Sequence, residues 1–241
     1  MGLTIYYKLS VTENLSSAVV RELVSRAGLY AKKIGCVEVS DVTRVETDTP
    51  FTSLFVCAGD VKDGCFGGLP AKRGWVVEVW PGEGCESASL GLCQYRRRVP
   101  YMLHGRYGSV RTDYTGGWLF KGSCKTQYAS EHGWEHFLRC HKMILSILNF
   151  WRQMGVTVEV SDEGGYWETK SEQKLRATLE SYNGLIAAVA GAFKDASDTS
   201  GKGGSVESPI FAHGEFERLE AQGWQDFGKQ LSQLPACKQR P

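Results

Sequence analysis

Proline is scarce, seven among 241 residues, so no rigid proline-rich spacer is built into the chain. Net charge is nearly absent as well: 28 Lys+Arg against 27 Asp+Glu leave +1. A chain this balanced carries no global field for nucleic acid or an anionic membrane, and such contacts would need a local patch. No run approaches the roughly 18 apolar residues of a membrane span. The start, Met1-Gly2-Leu3-Thr4-Ile5-Tyr6, has no basic segment leading into an apolar one, so no secretory signal is expected. It also lacks the hydroxyl residue of a myristoylation site, and Cys237 stands one residue too far from the end for prenylation. Gly-x4-Gly-Lys-Ser/Thr, Gly-x-Ser-x-Gly and a strand-linked Gly-x-Gly-x-x-Gly are all missing, which argues against P-loop enzymes, α/β-hydrolases and Rossmann dehydrogenases.

Apolar residues are ample, 42% of the chain with seven tryptophans, and this excludes disorder over most of its length. Glycine, at 28 residues, exceeds the usual share of about 7% and points to many turns. Eight cysteines are present (36, 57, 65, 85, 93, 124, 140 and 237). None is spaced as Cys-x-x-Cys, and the pairs Cys57/Cys65 and Cys85/Cys93 fit no standard zinc knuckle. A chain of this length without a signal is expected to keep reduced thiols in the cytoplasm, several of them as small buried hydrophobes.

Periodicity predicts an α+β fold. A mixed or antiparallel sheet is covered by long buried helices, with irregular glycine-rich loops and an amphipathic C-terminal tail. Leu3–Leu9 reads as a strand. A helix follows, capped by Asn14 and stopped at Gly35. Val37–Val45, Leu54–Ala58 and the alternating Trp75–Trp80 read as strands, with short ones at Trp118–Lys121 and Lys125–Tyr128. Trp134–Gln153 shows one narrow polar stripe in an otherwise apolar helix, so it should be buried over most of its circumference. Val156–Val160 reads as an interior strand. Thr169-Lys170-Ser171-Glu172 has the form of a capping box for a second long helix, buried along Leu175, Leu179, Tyr182, Ile186, Val189 and Phe193. Residues 1–194 are expected to form a single domain, 195–208 a flexible linker and 209–241 a tail that docks on this chain or on a partner.

Four stretches bear chemistry. His132-Gly133-Trp134-Glu135-His136 matches the His-x-x-Glu-His pattern in which two imidazoles hold zinc and a carboxylate activates water; it makes a zinc-dependent hydrolase one alternative, weakened by Gly133 and by the lack of a third ligand. His141, beside Phe137, Ile144 and Leu148, reads as a hydrogen-bonded core histidine. Gly122–Ser130 gathers Cys124, Lys125, Gln127 and Tyr128: either Lys125 activates Cys124 as a nucleophile, or Lys125 and Gln127 grip an anion, or the stretch is a half-exposed strand. Asp162-Glu163-Gly164-Gly165-Tyr166-Trp167-Glu168 follows a strand, where ligands collect because backbone and side-chain groups lack ladder partners. Arg96-Arg97-Arg98 with Tyr101, His104, Arg106, Tyr107 and Arg111 is a basic patch with interleaved aromatics, although nucleic acid is not the expected partner.

The Gly122–Ser130 run, with Phe137-Leu138-Arg139-Cys140-His141 and Ser161–Trp167, resembles a group of bacterial proteins of no assigned activity. The resemblance implies a bacterial cytosolic origin and no functional residue. The residues themselves predict a site for a small polar ligand where Lys125, Gln127 and Tyr128 meet Asp162, Glu163, Tyr166, Trp167 and Glu168. If it is catalytic, Asp162 and Glu163 serve as general acid and base while Lys125 or Gln127 stabilises negative charge. No cofactor and no metal is called for. The rival expectation is a non-enzymatic assembly or adaptor protein whose partner is another protein, reached through the tail.

Overall fold

The computed structural model describes residues 3–46, 54–57, 66–69, 71–103, 106–111, 114, 116–200 and 208–232. It is α+β, as the patterning predicts. The strands are β1 (Thr4–Val11), β2 (Glu38–Val39), β3 (Thr43–Glu46), β4 (Leu54–Cys57), β5 (Phe66–Leu69), β6 (Arg73–Trp80), β7 (Ala88–Gln94), β8 (Arg98–Leu103), β9 (Arg106–Arg111), β10 (Trp118–Lys125) and β11 (Thr157–Asp162). The helices are α1 (Ser17–Lys33), α2 (Trp134–Gln153), α3 (Tyr166–Thr169), α4 (Glu172–Ser200) and α5 (Phe216–Ser232). Seven strands make one antiparallel sheet ordered β11-β1-β10-β7-β6-β2, with β3 also on β6; β4–β5 and β8–β9 are separate hairpins.

Strand alternation decides the two faces of this sheet. In β1, Ile5, Tyr7 and Leu9 turn inward and are buried, as are Trp118, Phe120 and Cys124 of β10. The helices α1 and α2 cover that face, with Val20, Val24 and Ala27 from one and Ile144, Leu148 and Trp151 from the other in the same core. A stacked pair, Tyr30 on Phe150 with ring centroids 4.2 Å apart, joins the two helices, and Tyr30 and Ser146 share a 2.8 Å hydrogen bond. The opposite face carries polar groups such as Lys8 and Glu159, paired at 2.8 Å across exposed surface. Tyr7 lies against Gly122, where an added Cβ would strike its ring at 2.7 Å; glycine here makes room for a phenol whose hydroxyl donates to the Ser89 carbonyl at 2.7 Å.

Several boundaries move from where local patterning puts them. Ser16, not Asn14, caps α1, its hydroxyl accepting from Val19 N–H at 3.3 Å. Trp118–Lys121 and the start of Lys125–Tyr128 belong to one strand, β10, after which Gln127–His132 coils as a 3₁₀ helix. β11 is an edge strand rather than an interior one: it ends the sheet order and pairs with β1 on one side, while Thr157, Glu159 and Ser161 face solvent in alternation. The capping box at Thr169 gives way to Ser171, whose hydroxyl accepts from Lys174 N–H at 3.2 Å. Thr169 instead bonds back to the Gly165 carbonyl.

The helix α4 also runs past its expected end. Residues 195–200 of the expected linker continue as helix, while 201–207 lie outside the described residues. Leu175 and Leu179 pack with Leu3, Phe137 and Leu138 in a second core. Val189 and Phe193 are exposed, because the second half of α4 turns its small residues, Ala187 and Ala190, toward Ile210 and Leu219. Of the expected tail, the described part packs on this chain: α5 crosses α4 so closely that a Cβ at Gly223 would run into the Gly184 carbonyl. Among the described residues no helix is long and apolar enough to cross a membrane. Replacing Gly223 with valine is expected to prise α5 from α4, an overpacking cost of about 1–3 kcal/mol. Hydrogen exchange should rise at least about tenfold in 216–226 and stay unchanged in β1 and β10; an unaltered pattern in α5 contradicts the close crossing.

Candidate functional site

Neighbouring residues of the predicted site part company because β1 has partners on both edges. Thr4 stands opposite Lys125 on β10, and Ile5 stands between Cys124 of β10 and Asp162 of β11. Side chains alternate, so Cys124 and Asp162 point with Ile5 into the core, and Lys125 and Glu163 project with Thr4 on the other side.

The inward set is sealed. Asp162, His141, Thr126 and Gln127 are buried, the last three at 0% exposure. His141 Nδ1 meets the Thr126 hydroxyl at 2.9 Å and its Nε2 lies 3.3 Å from the Asp162 carboxylate. The same carboxylate accepts from Gly164 N–H and Trp167 N–H, each at 2.8 Å. Burial alone pushes the Asp162 pKa up; the hydrogen bond and charge of His141, with those two amides, outweigh it and hold the carboxyl below its ordinary value. His141 is thus a hydrogen-bonded core histidine. Although hydroxyl, imidazole and carboxylate stand in a row, all three are closed off from solvent, and the row ties β10, α2 and β11 together. Gln127 is spent in the same way: its Oε1 accepts from Leu3 N–H and its Nε2 donates to Asn183 Oδ1, both at 2.9 Å. The thiol of Cys124 is also in the core, donating to the Glu86 carbonyl at 3.2 Å. Its pKa is pushed up by burial first and then by Glu86, so Lys125, on the opposite side of the strand, does not activate it.

The outward set lines a cavity of about 500 Å³. Lys125 and Glu163 share it with Glu86, which comes from the turn before β7, and with Thr4 and Ser123. Tyr6 of β1 and Tyr182 of α4 supply phenols, and Leu185 an apolar wall. Glu163 is braced by Thr4 N–H at 2.8 Å. The Lys125 ammonium lies 4.4 Å from the centre of the Tyr128 ring, and Tyr128 itself belongs to an adjoining cavity of about 350 Å³ with Cys85, Glu131 and His132. Burial, then Glu163 and Tyr6, push the Tyr182 phenol above its ordinary pKa, so it remains a hydrogen-bond donor at neutral pH. Burial also raises Glu131, against the opposing influence of His132 and His213. Its Oε1 is buried with no hydrogen-bond partner among the described residues.

The remaining predicted residues stand apart from both cavities. Tyr166 and Trp167 lie on α3, where Lys142 and Lys170 sit over the first ring and Lys170 and Arg152 over the second at 4.6–5.8 Å. Glu168 is exposed beside them. For the metal alternative, His136 Nε2 contacts the Glu83 carbonyl at 2.9 Å and Glu135 is exposed. Among the described residues no three His, Cys, Asp or Glu side chains are placed to hold a metal ion. Of the basic patch, Arg98, Tyr101, Arg106, Tyr107 and Arg111 fall on the β8–β9 hairpin and Arg96 and Arg97 precede it, while His104 and the side chains of Tyr101 and Tyr107 lie outside the described residues. Local sequence reading misses Thr4, Tyr6, Glu86 and Tyr182. The only signal for the first two is the alternation of β1, which becomes informative once its partners are known.

Compared with family models, curated proteins and solved structures, the chain finds no match, so the likeness to a bacterial group gains no support.

Asp162 offers a direct check of the sealed set. A carboxyl with a lowered folded pKa contributes stability above its unfolded value of about 3.9 and loses it as pH falls through the folded value. Asp162→Asn is expected to cost roughly 1–3 kcal/mol at pH 7 and to flatten the acid limb of the stability curve. Urea unfolding between pH 7 and pH 2 measures both; an unchanged acid limb counts against the His141–Asp162 pair.

Proposed function

We propose that the protein binds a small zwitterionic or amine-bearing polar ligand in the cavity between Lys125 and Glu163. One observation carries this reading: antiparallel pairing on both sides of β1 brings an ammonium and a carboxylate, far apart in sequence, into one space of about 500 Å³. Small-molecule sites typically enclose about 300–1,000 Å³ with a few convergent polar groups, and this one has them. Lys125 suits a ligand carboxylate, Glu163 and Glu86 suit a ligand ammonium, and the phenols of Tyr6 and Tyr182 offer hydrogen bonds along the remainder. A molecule carrying both charges satisfies both signs, whereas a simple anion or cation leaves one side repelled.

The chemistry expected of Asp162 does not belong to this reading, since its carboxylate is committed to His141, Gly164 and Trp167. Glu163 and Lys125 remain the ionic pair around which a ligand is held, with Tyr182 as donor.

Thermal melting against amino acids, small diamines, monocarboxylates and neutral sugars tests this. Amino acids or amino-bearing compounds should raise Tm by several degrees at saturation, equivalent to about 2.7 kcal/mol at one hundred times Kd. Lys125→Ala and Glu163→Gln should each weaken binding at least about tenfold, or 1.4 kcal/mol. A flat panel, or shifts indifferent to both substitutions, overturns the proposal.

A further inference from the structure

A second chemistry-bearing group lies at the far wall of the smaller cavity, in thiols rather than charges. Cys85 sits in the turn after β6. Its amide donates to the Gly82 carbonyl at 3.1 Å, and its carbonyl accepts from the Trp80 indole at 3.0 Å. Its side chain is half-buried and lines the cavity of about 350 Å³. Behind it, fully buried on α2, is Cys140, in the cluster against which Cys85 packs; its sulfur reaches the turn that carries Cys85, since a Cβ added at Gly82 would lie 2.9 Å from it. The Cys140 sulfur lies 3.6 Å from His136 Nε2 and 3.7 Å from the Pro81 carbonyl. His136 Nδ1 faces an Arg139 amino group at 3.1 Å. A guanidinium can only donate, so Nδ1 accepts and the ring hydrogen sits on Nε2, shared between the Glu83 carbonyl and the Cys140 sulfur.

We propose that Cys85 and Cys140 form a redox-active dithiol site, which low-molecular-weight disulfides reach through the Cys85-lined cavity and which closes to an internal disulfide. The arrangement divides the labour: Cys85 is the thiol a small molecule can touch, and Cys140 is the buried thiol that resolves the adduct. The pair also differs electrostatically from the other described thiols. The neighbouring Cys85 thiol, then His136 and Arg139, hold Cys140 down at about 6 against the opposing effect of burial. The Cys140 thiol first, and then burial, raise Cys85, whereas burial pushes Cys36 up to about 11 and Cys93 up to about 12.

In the first step Cys85 Sγ attacks one sulfur of the small disulfide as its proton passes to Cys140. A Cys85–S bond forms, the incoming S–S bond breaks, and one thiolate leaves, taking up the proton from Cys140. In the second step the Cys140 thiolate attacks Cys85 Sγ and expels the other thiolate, which takes a proton from water. Two protein thiols lose two electrons, and one disulfide becomes two thiols.

The full chain, incubated with glutathione disulfide or with neutral hydroxyethyl disulfide, then alkylated and digested with trypsin, tests the site. Cleavage after Arg139 and Lys142 releases Cys140 in its own short peptide, and further digestion with a glutamate-specific protease, after Glu83 and Glu86, separates Cys85 from Cys93, so a Cys140–Cys85 cross-link is read directly. This cross-link should exceed any other cysteine pair at least tenfold. In Cys140→Ala it should be replaced by a mixed disulfide on Cys85, and in Cys85→Ala Cys140 should remain unmodified, with circular dichroism confirming that both variants fold. Stable mixed disulfides without a cross-link in the unaltered chain, cross-links spread among the cysteines, or thiols that stay free all overturn the proposal.

Discussion

The position of β1 governs the molecule. It is bonded along both edges, to β10 and to β11, and each neighbour's register against it is set residue by residue. Because side chains on a strand alternate, that register sorts two adjacent acids into opposite surroundings. Asp162 goes under the helices, where two amides and an imidazole compensate its burial. Glu163 goes to the outer side, where Thr4 N–H steadies it beside Lys125. A slip of one residue between β1 and β11 would exchange these fates, and one between β1 and β10 would turn Lys125 inward; either places an uncompensated charge in the core.

Two buried polar rows reinforce this register. One runs from Thr126 through His141 to Asp162; the other links Leu3, Gln127, Asn183 and Ser130. Buried polar groups are tolerable only when satisfied, and here each links elements distant in sequence: β10 to α2 and β11 in the first row, the start of β1 to α4 in the second. Their role is to specify one arrangement, since any alternative packing would strand at least one of these groups away from water.

How much of this can be read from the residues alone depends on the range of the interaction. The limits of α2 follow from its own periodicity and from Gly155, whose φ of +86° ends the helix. The alternation of Trp75–Trp80 likewise suffices for β6. The edge position of β11 is not local information: valines alternating with polar residues fit an interior or an edge strand equally, until the order of strands beside β1 is known. The candidate site shows the same division. Lys125 and Glu163 are identifiable as polar groups near strand ends, but Glu86 enters from another turn and Tyr182 from a helix. Gln127 and Asp162 look available in sequence because nothing there reveals the amides, Asn183 and His141 that occupy them.

One turn of α4 holds several of these structures at once. Tyr182 and Leu185 form part of the cavity wall, Asn183 grips Gln127, and Gly184 is the point where α5 crosses. The wall facing a ligand and the seat of the C-terminal helix are thus successive positions on a single stiff rod. Anything that displaced α5 would be communicated to the phenol of Tyr182 without passing through the sheet, and a molecule lodged against Tyr182 would tighten the hold on the tail by the same short route.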